Sequence, residues 1–406
     1  MAGVAAETEK AKRTAQRVAL TGNDAAAEAF RQVDPDIAAV FPITPQTELM
    51  HKFSEFVANG KVHTDLVNVE SEHSAMSAVV GAQAAGARSI TATSAVGFIL
   101  MLEVVHVASS LRLPCVMAVV NRALNSPLNI HCDHSDTMTA RDSGWIQLFS
   151  EDAQEVYDNV IQAFRIAEHS DLLIPCMVTL DGFILSHTQE TMEMLDDEQV
   201  KGFVGEYKPE HYLLKGKEPM LVGPVDLQDW LFEHKRQNIE ATKSAPRIIR
   251  EVGEEFAKLS GRSYDLIEGY RTEDAELVIV VLGSTAGTAK EAADAMRDRG
   301  VAAGVVKIRA FRPFPAEEIW NAIPNAKAIG VMDRSVAFGL GAGPVFHELR
   351  SYGYELGKSV PVVSWIYGIG GRDIAPEHVE GAFEELKEVA STGRVGVRDR
   401  YLNLRD

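Results

Sequence analysis

The sequence predicts an α/β protein with two parallel-sheet domains in its 406 residues. Three observations carry that prediction. Short strand-like stretches recur at 37–41, 66–69, 89–94, 114–120 and 173–180, most of them apolar, each preceded or followed by a helix-period segment. Such alternation builds parallel sheets joined by crossover helices. The run at 114–120 is apolar at every position, as in a strand covered on both faces. Finally, the series stops over 187–273, where charged residues accumulate, and starts again at 277–282. A chain this long exceeds one ordinary core, so a polar tail (1–17), a first domain (18–186), a charged connector (187–273) and a second domain (274–406) follow.

Composition narrows the function. A formal net charge of -18 argues against nucleic acid or an anionic membrane surface as partner. Cys115, Cys132 and Cys176 are far apart and form no CxxC pair. They make neither a disulfide framework nor the roughly four-thiolate set of an iron–sulfur cluster, and they fit a reducing, cytoplasmic setting. The tail over 1–17 is rich in Ala, Glu and Lys and lacks the apolar stretch of a signal peptide. The longest apolar stretch, 90–107, is interrupted by Glu103 and His106 and reads as strand plus buried helix, not a membrane span.

Taken in order, residues 24–33 form an Ala-rich helix with a cap at Asn23. The strand at 37–41 ends at Pro42-Ile43-Thr44-Pro45, because neither proline can join a central ladder. Thr44 then sits on a stiff turn before a helix over 46–59, and capping that helix is one reading of it. Strand 66–69 leads into Glu70-Ser71-Glu72-His73, a polar turn opening a helix that runs to Gly86. Glu72 at such a helix start faces partial positive charge. It is either a capping-type residue or a carboxylate aimed at a ligand, since ligands of open parallel sheets bind outside the carboxyl ends of the strands. Strand 89–94 passes through Gly97 into an apolar helix, and strand 114–120 ends at Asn121-Arg122.

The loop over 129–136 holds His131, Cys132, Asp133, His134 and Asp136, the densest group of ligand-type side chains in the chain. Its spacing matches no zinc signature, so it reads as a polar loop over a site, with no metal assigned. A helix over 155–168 and a strand ending at Asp181-Gly182 complete the first series. The connector contains one exposed amphipathic helix, at 238–259. In the second series, strands fall at 277–282, 304–308, 328–332 and 360–366. Gly283-Ser284-Thr285 is either a tight turn or an anion-holding helix start, and Gly339-Leu340-Gly341-Ala342-Gly343 is no dinucleotide fingerprint. Thr44, Glu72 and Arg122 therefore all follow strands at one sheet edge. A guanidinium and a hydroxyl suit a small carboxylate, and a carboxylate on a helix-start turn can hold a protonated ring nitrogen or act as a base.

At these residues the chain resembles a known family. Phe41-Pro42-Ile43-Thr44-Pro45, Glu70-Ser71-Glu72-His73-Ser74-Ala75, Asn121-Arg122-Ala123 and Asp133-His134-Ser135-Asp136 are similar, in order, to signatures of the 2-oxoacid:ferredoxin oxidoreductases. Phe311-Arg312-Pro313-Phe314-Pro315 and Val331-Met332-Asp333-Arg334 resemble that family's second domain. The likeness runs over about 18–374 and is greatest to alpha subunits of the multi-subunit pyruvate:ferredoxin oxidoreductases. It implies a thiamine diphosphate pyrimidine-binding type fold first and a smaller transketolase C-terminal-like domain second.

The resemblance further implies oxidative decarboxylation of a 2-oxo acid on thiamine diphosphate, with electrons leaving through iron–sulfur clusters to ferredoxin and the acyl group passing to coenzyme A. Glu72 would hold the aminopyrimidine ring, Thr44 and Arg122 the substrate, and Asp133, His134 and Asp136 a loop over the site. The sequence has no Gly-Asp-Gly for a Mg²⁺-bound diphosphate. Mg²⁺ and iron–sulfur clusters are accordingly expected in partner subunits, a diphosphate-binding one and an iron–sulfur one. Two departures stand out: Phe41 where relatives carry Tyr, and Ala95-Val96 where pyruvate relatives carry a polar pair. They leave branched-chain 2-oxo acids or 2-oxoglutarate as alternative substrates, and a non-catalytic assembly subunit as the alternative of another class.

Overall fold

A computed structural model describes residues 16–216, 219–397 and 400–405. The polar tail lies outside these residues, apart from Gln16 and Arg17. The first half contains β1 (Gln16–Thr21), α1 (Gly22–Val33), β2 (Ile37–Val40), α2 (Thr47–Ala58), β3 (Asp65–Asn68), α3 (Glu72–Ala85), β4 (Ser89–Thr93), α4 (Ala95–Ser110), β5 (Val116–Asn121), α5 (Ser135–Thr139), β6 (Ile146–Phe149), α6 (Ala153–Ala167), β7 (Cys176–Asp181) and β8 (Gln189–Met194). Then come α7 (Asp197–Val204), α8 (Leu231–Thr242), α9 (Ala245–Ser260) and β9 (Ile267–Tyr270). The second half follows with β10 (Leu277–Leu282), α10 (Thr285–Asp298), β11 (Ala303–Ile308), β12 (Ala310–Arg312), α11 (Ala316–Ala322), β13 (Ala328–Asp333), α12 (Pro344–Glu355), β14 (Val362–Ile366), α13 (Pro376–Thr392) and β15 (Arg400–Tyr401).

The strands form a seven-stranded sheet in the order β12-β6-β7-β5-β4-β2-β3 and a six-stranded sheet in the order β15-β14-β13-β10-β11-β9. Pairing is parallel throughout the first sheet except at β12, and throughout the second except at β9. This is the two-sheet α/β architecture that the alternating runs predict. The central strands β5, β7 and β10 are buried at every position, which is why they lack an alternating pattern, whereas β4 is buried yet alternates Ser89-Ile90-Thr91-Ala92-Thr93.

Several elements differ from the sequence expectation. α1 starts one residue before Asn23, and its cap is Thr21, whose Oγ1 accepts from the Asp24 N–H at 3.1 Å. A Cβ at Gly22 would lie 2.7 Å from the Leu185 carbonyl oxygen, so the helix opens where only glycine fits. Asn23 is instead buried, and its Nδ2 donates to the Pro45 carbonyl at 2.9 Å. α2 begins after Gln46, so Thr44 does not cap it. The expected single exposed helix at 238–259 is two helices, and α9 buries Ile248, Ile249, Val252 and Phe256 in the first core. Its amphipathic pattern was legible; that a core waits for the apolar face was not.

β1 and β8 pair as an antiparallel ribbon, Gln16 opposite Met194, although no strand was expected between 187 and 273. The short β12 leaves the second half and joins the edge of the first sheet beside β6. Around this crossing, Lys307 bonds Glu151 at 2.7 Å, Arg309 donates to Asn159 at 2.7 Å, and the rings of Phe149 and Phe311 meet edge-on at 6.0 Å. The two sheets are thereby locked together.

Candidate active site

The site lies where the strands of the first sheet end. β5 and β7 are in parallel register with Asn121 beside Asp181, so Arg122 and the Asp181 carboxyl emerge at one edge. α3 begins at the same edge, after β3. Its cap is Ser71, whose Oγ accepts from the Ser74 N–H at 3.2 Å, and Glu70 accepts from the Ser74 hydroxyl at 2.6 Å. Glu72 is thus not needed as a cap. It is 7% exposed, and its side chain has no hydrogen-bond or ion-pair partner among the described residues. A Cβ at Gly97 would lie 2.5 Å from Glu72 Oε1, so any larger residue at the first turn of α4 would displace this carboxylate. The hydroxyls of Thr93 and Ser94, just before α4, are also buried without partners.

Arg122 and Thr44 are brought together. Arg122 Nη1 donates to the Thr44 carbonyl at 2.9 Å, and its Nε donates to the Asn129 carbonyl at 3.4 Å. Two main-chain carbonyls therefore hold the guanidinium from behind, while its Nη2 has no partner among the described residues. Burial pulls the Arg122 guanidinium down and the Asp136 carboxylate opposes this. Thr44 itself is exposed.

The residues expected in a covering loop separate. Asp133 closes a local turn, accepting from the Ser135 N–H at 2.9 Å. Asp136 lies beneath the strand ends rather than over them, fully buried, accepting from Ala95 N at 3.0 Å, Asn121 Nδ2 at 2.9 Å, Arg122 N at 3.0 Å and Thr137 N at 2.8 Å. It ties the start of α4 to the end of β5, because free N–H groups there need an acceptor. Burial outweighs these bonds and pushes its carboxyl up to about 6. A folded value above the unfolded one, about 3.9, means that this group's contribution to stability is lost as pH rises from about 4 to about 6. The margin in melting temperature of the wild type over Asp136→Asn should therefore shrink across that window; a margin constant with pH refutes it.

His134 turns away from the cleft. Its Nε2 is 2.7 Å from Asp181 Oδ1, and its ring packs edge-on against Phe149 at 5.2 Å. Asp181 also meets Arg334 Nη1 at 3.0 Å and the Ser284 hydroxyl at 2.5 Å. Burial alone would raise the Asp181 carboxyl, but His134 and Arg334 hold it well below the carboxylate range. Cys132, His134 and Asp181 form a metal-like triad, but the Arg334 guanidinium already donates to Cys132 Sγ at 3.6 Å and to Asp181. Sequence reasoning did not see this network. Its available signal was Asp181, a charged residue ending an otherwise apolar strand, as Arg122 follows one.

Thiamine diphosphate fits these residues: Glu72 offers a buried, unpaired carboxylate to a hydrogen-bond donor, and Gly97 keeps the adjacent backbone bare. A carboxylate of this kind, at a helix start on the carboxyl edge of a parallel sheet, defines a cofactor-binding α/β protein. Residues 28–254 match the family model for pyruvate flavodoxin/ferredoxin oxidoreductase, thiamine diP-binding, and residues 275–379 match that for pyruvate:ferredoxin oxidoreductase core domain II. The chain belongs to the pyruvate:ferredoxin oxidoreductase family. It is 52% identical to pyruvate synthase subunit PorA of Thermotoga maritima, over 97% of this chain and 100% of that one. Among solved structures it is similar to 2-oxoglutarate:ferredoxin oxidoreductase from Magnetococcus marinus (TM-score 0.71, 22% identity), covering 91% of this chain and 65% of that chain. A split-gene transketolase, an inactive beta4 tetramer, matches with TM-score 0.54 and 14% identity over 91% of this chain and 99% of that one. The fold is that of a thiamine diphosphate-binding domain followed by a transketolase C-terminal-like domain.

Proposed function

We propose that this chain is the pyrimidine-side subunit of a pyruvate synthase-type complex, active only with its partners. The reaction is oxidative decarboxylation of pyruvate to acetyl-CoA and carbon dioxide with reduction of ferredoxin, or the reverse. The observation that carries this reading is the unpaired Glu72 carboxylate, buried at the head of α3 beside Gly97.

The chemistry that thiamine diphosphate supplies when bound is a carbon nucleophile for the 2-oxo carbon and a sink for the electrons released with carbon dioxide. Glu72 shares a proton with the aminopyrimidine ring nitrogen and so governs the protonation of the amino group. Arg122, held by two carbonyls, presents its free Nη2 edge to the substrate carboxylate, and the exposed Thr44, bonded to the same guanidinium through its carbonyl, offers a hydroxyl. Asp136 keeps Arg122 and the start of α4 in register. Asp133 and His134 shape the loop from below.

The diphosphate, with Mg²⁺, belongs to one partner subunit and the iron–sulfur clusters to another. α4 supports a partner here: beside Glu103 and His106, its outward face leaves Val96 55%, Leu100 49% and Val107 39% exposed. Leu221, Val225, Trp230 and Phe232 of the connector are exposed as well. No helix among the described residues is long and apolar enough to cross a membrane, and the setting is cytoplasmic.

In the assembled complex with ferredoxin and coenzyme A, pyruvate should give the highest kcat/KM among pyruvate, 3-methyl-2-oxobutanoate and 2-oxoglutarate. Val96 beside Gly97 favours the branched-chain acid as second choice, and a preference for it would reject pyruvate. Arg122→Ala should raise KM for pyruvate about 10-fold or more and also slow turnover, since a held carboxylate orients the reacting carbon. Unchanged substrate dependence would remove Arg122 from the pocket.

A further inference from the structure

The second sheet carries a hollow that the chemistry above does not use. It lies beside the entry of β14, at the opposite sheet edge from Asp333 and Arg334, which end and follow β13. Its volume is about 340 Å³, within the range of small-ligand sites. Trp320 of α11, Phe346, Arg350 and Gly353 of α12, Lys358, and Ser364 of β14 line it.

Two features set its chemistry. Arg350 and Lys358 have no carboxylate partner among the described residues; each lies over an aromatic ring, Arg350 Cζ 5.2 Å from the Phe346 centroid and Lys358 Nζ 5.9 Å from that of Trp320. No Asp or Glu is among the described lining residues, in a chain whose net charge is -18. The indole edge of Trp320 is closed off by Gly353, where an added Cβ would lie 2.7 Å from Cζ2, so the ring offers the hollow an apolar surface and not its N–H.

Two free cations with no competing acid select an anion with several acceptor oxygens. Trp320, Phe346 and the exposed Tyr354 add flat apolar walls. We propose that this cavity binds a phosphate ester bearing a flat apolar group, of the nucleotide class. The phosphate sits between Arg350 and Lys358, with the ring system against the aromatic residues.

The test is equilibrium dialysis of the assembled complex, saturated with thiamine diphosphate and free of coenzyme A, against labelled ADP and, separately, inorganic phosphate. ADP should bind saturably to one site that weakens on the order of 10-fold in Arg350→Ala/Lys358→Ala. Both side chains are exposed, so that variant should assemble and turn over pyruvate normally. Tyr354→Ala, which removes the exposed ring from the wall, should weaken ADP several-fold and leave inorganic phosphate unchanged. Inorganic phosphate binding as tightly as ADP, with the same variant dependence, would overturn the nucleotide assignment in favour of the free ion. Absence of ADP binding, or binding indifferent to both variants, would overturn the site altogether.

Discussion

Glu72→Gln should reduce pyruvate oxidation by the assembled complex on the order of 10²-fold or more while leaving assembly intact. The substitution keeps shape and burial and removes only the capacity to hold a proton. Ser71, not Glu72, caps α3, so the helix keeps its start. A carboxamide also meets Gly97 no more closely than the carboxylate does. The loss should appear in kcat with little change in KM for pyruvate, because Arg122 and Thr44 are untouched. Near-normal turnover would instead favour the non-catalytic assembly subunit. Co-purification of the partner subunits with the variant separates a chemical defect from a failure to assemble.

The second large effect is on stability. Arg334 and Asp181 form an ion pair at 3.0 Å with side chains 3% and 1% exposed. Arg334→Met should destabilise the chain by about 3–5 kcal/mol, because Asp181 would remain buried with its guanidinium partner gone. A fall in melting temperature on the order of 5–10 °C would follow. The pair joins the end of β7 to the turn after β13, and Ser284 after β10 donates to the same carboxylate. Loss should thus loosen the two sheets from each other first, readable as amide exchange in 181–186 and 283–286 before the sheet interiors. Asp181→Asn added to Arg334→Met should recover part of the loss, since no unpaired charge then stays buried. If the double variant is no more stable than Arg334→Met alone, the effect is packing rather than charge.

Much of this was legible in the chain because it is local. Runs such as 114–120 and 277–282 announce buried strands without knowledge of their neighbours, and Pro42 and Pro45 mark where a strand must stop. Parallel connection then carries Thr44, Glu72 and Arg122 to one edge, since every crossover returns the chain in the same direction. The errors share one cause. β8 and β12 are strands only through the partners they find, Gln16–Thr21 and Ile146–Phe149. α9 looked solvent-facing because its core lies on elements distant in sequence.

By itself, the sequence determined the two-sheet α/β class, the strand-end position of the acidic and basic side chains, and the likeness to 2-oxoacid oxidoreductases. Only the tertiary structure decided that Asp136 works from below, that His134 turns toward Asp181, and that Arg334 fills the space between Cys132 and Asp181. The physical reason is range. Periodicity and turn chemistry act over a few residues, whereas the direction of a buried polar side chain is set by whichever distant donor or charge closes over it.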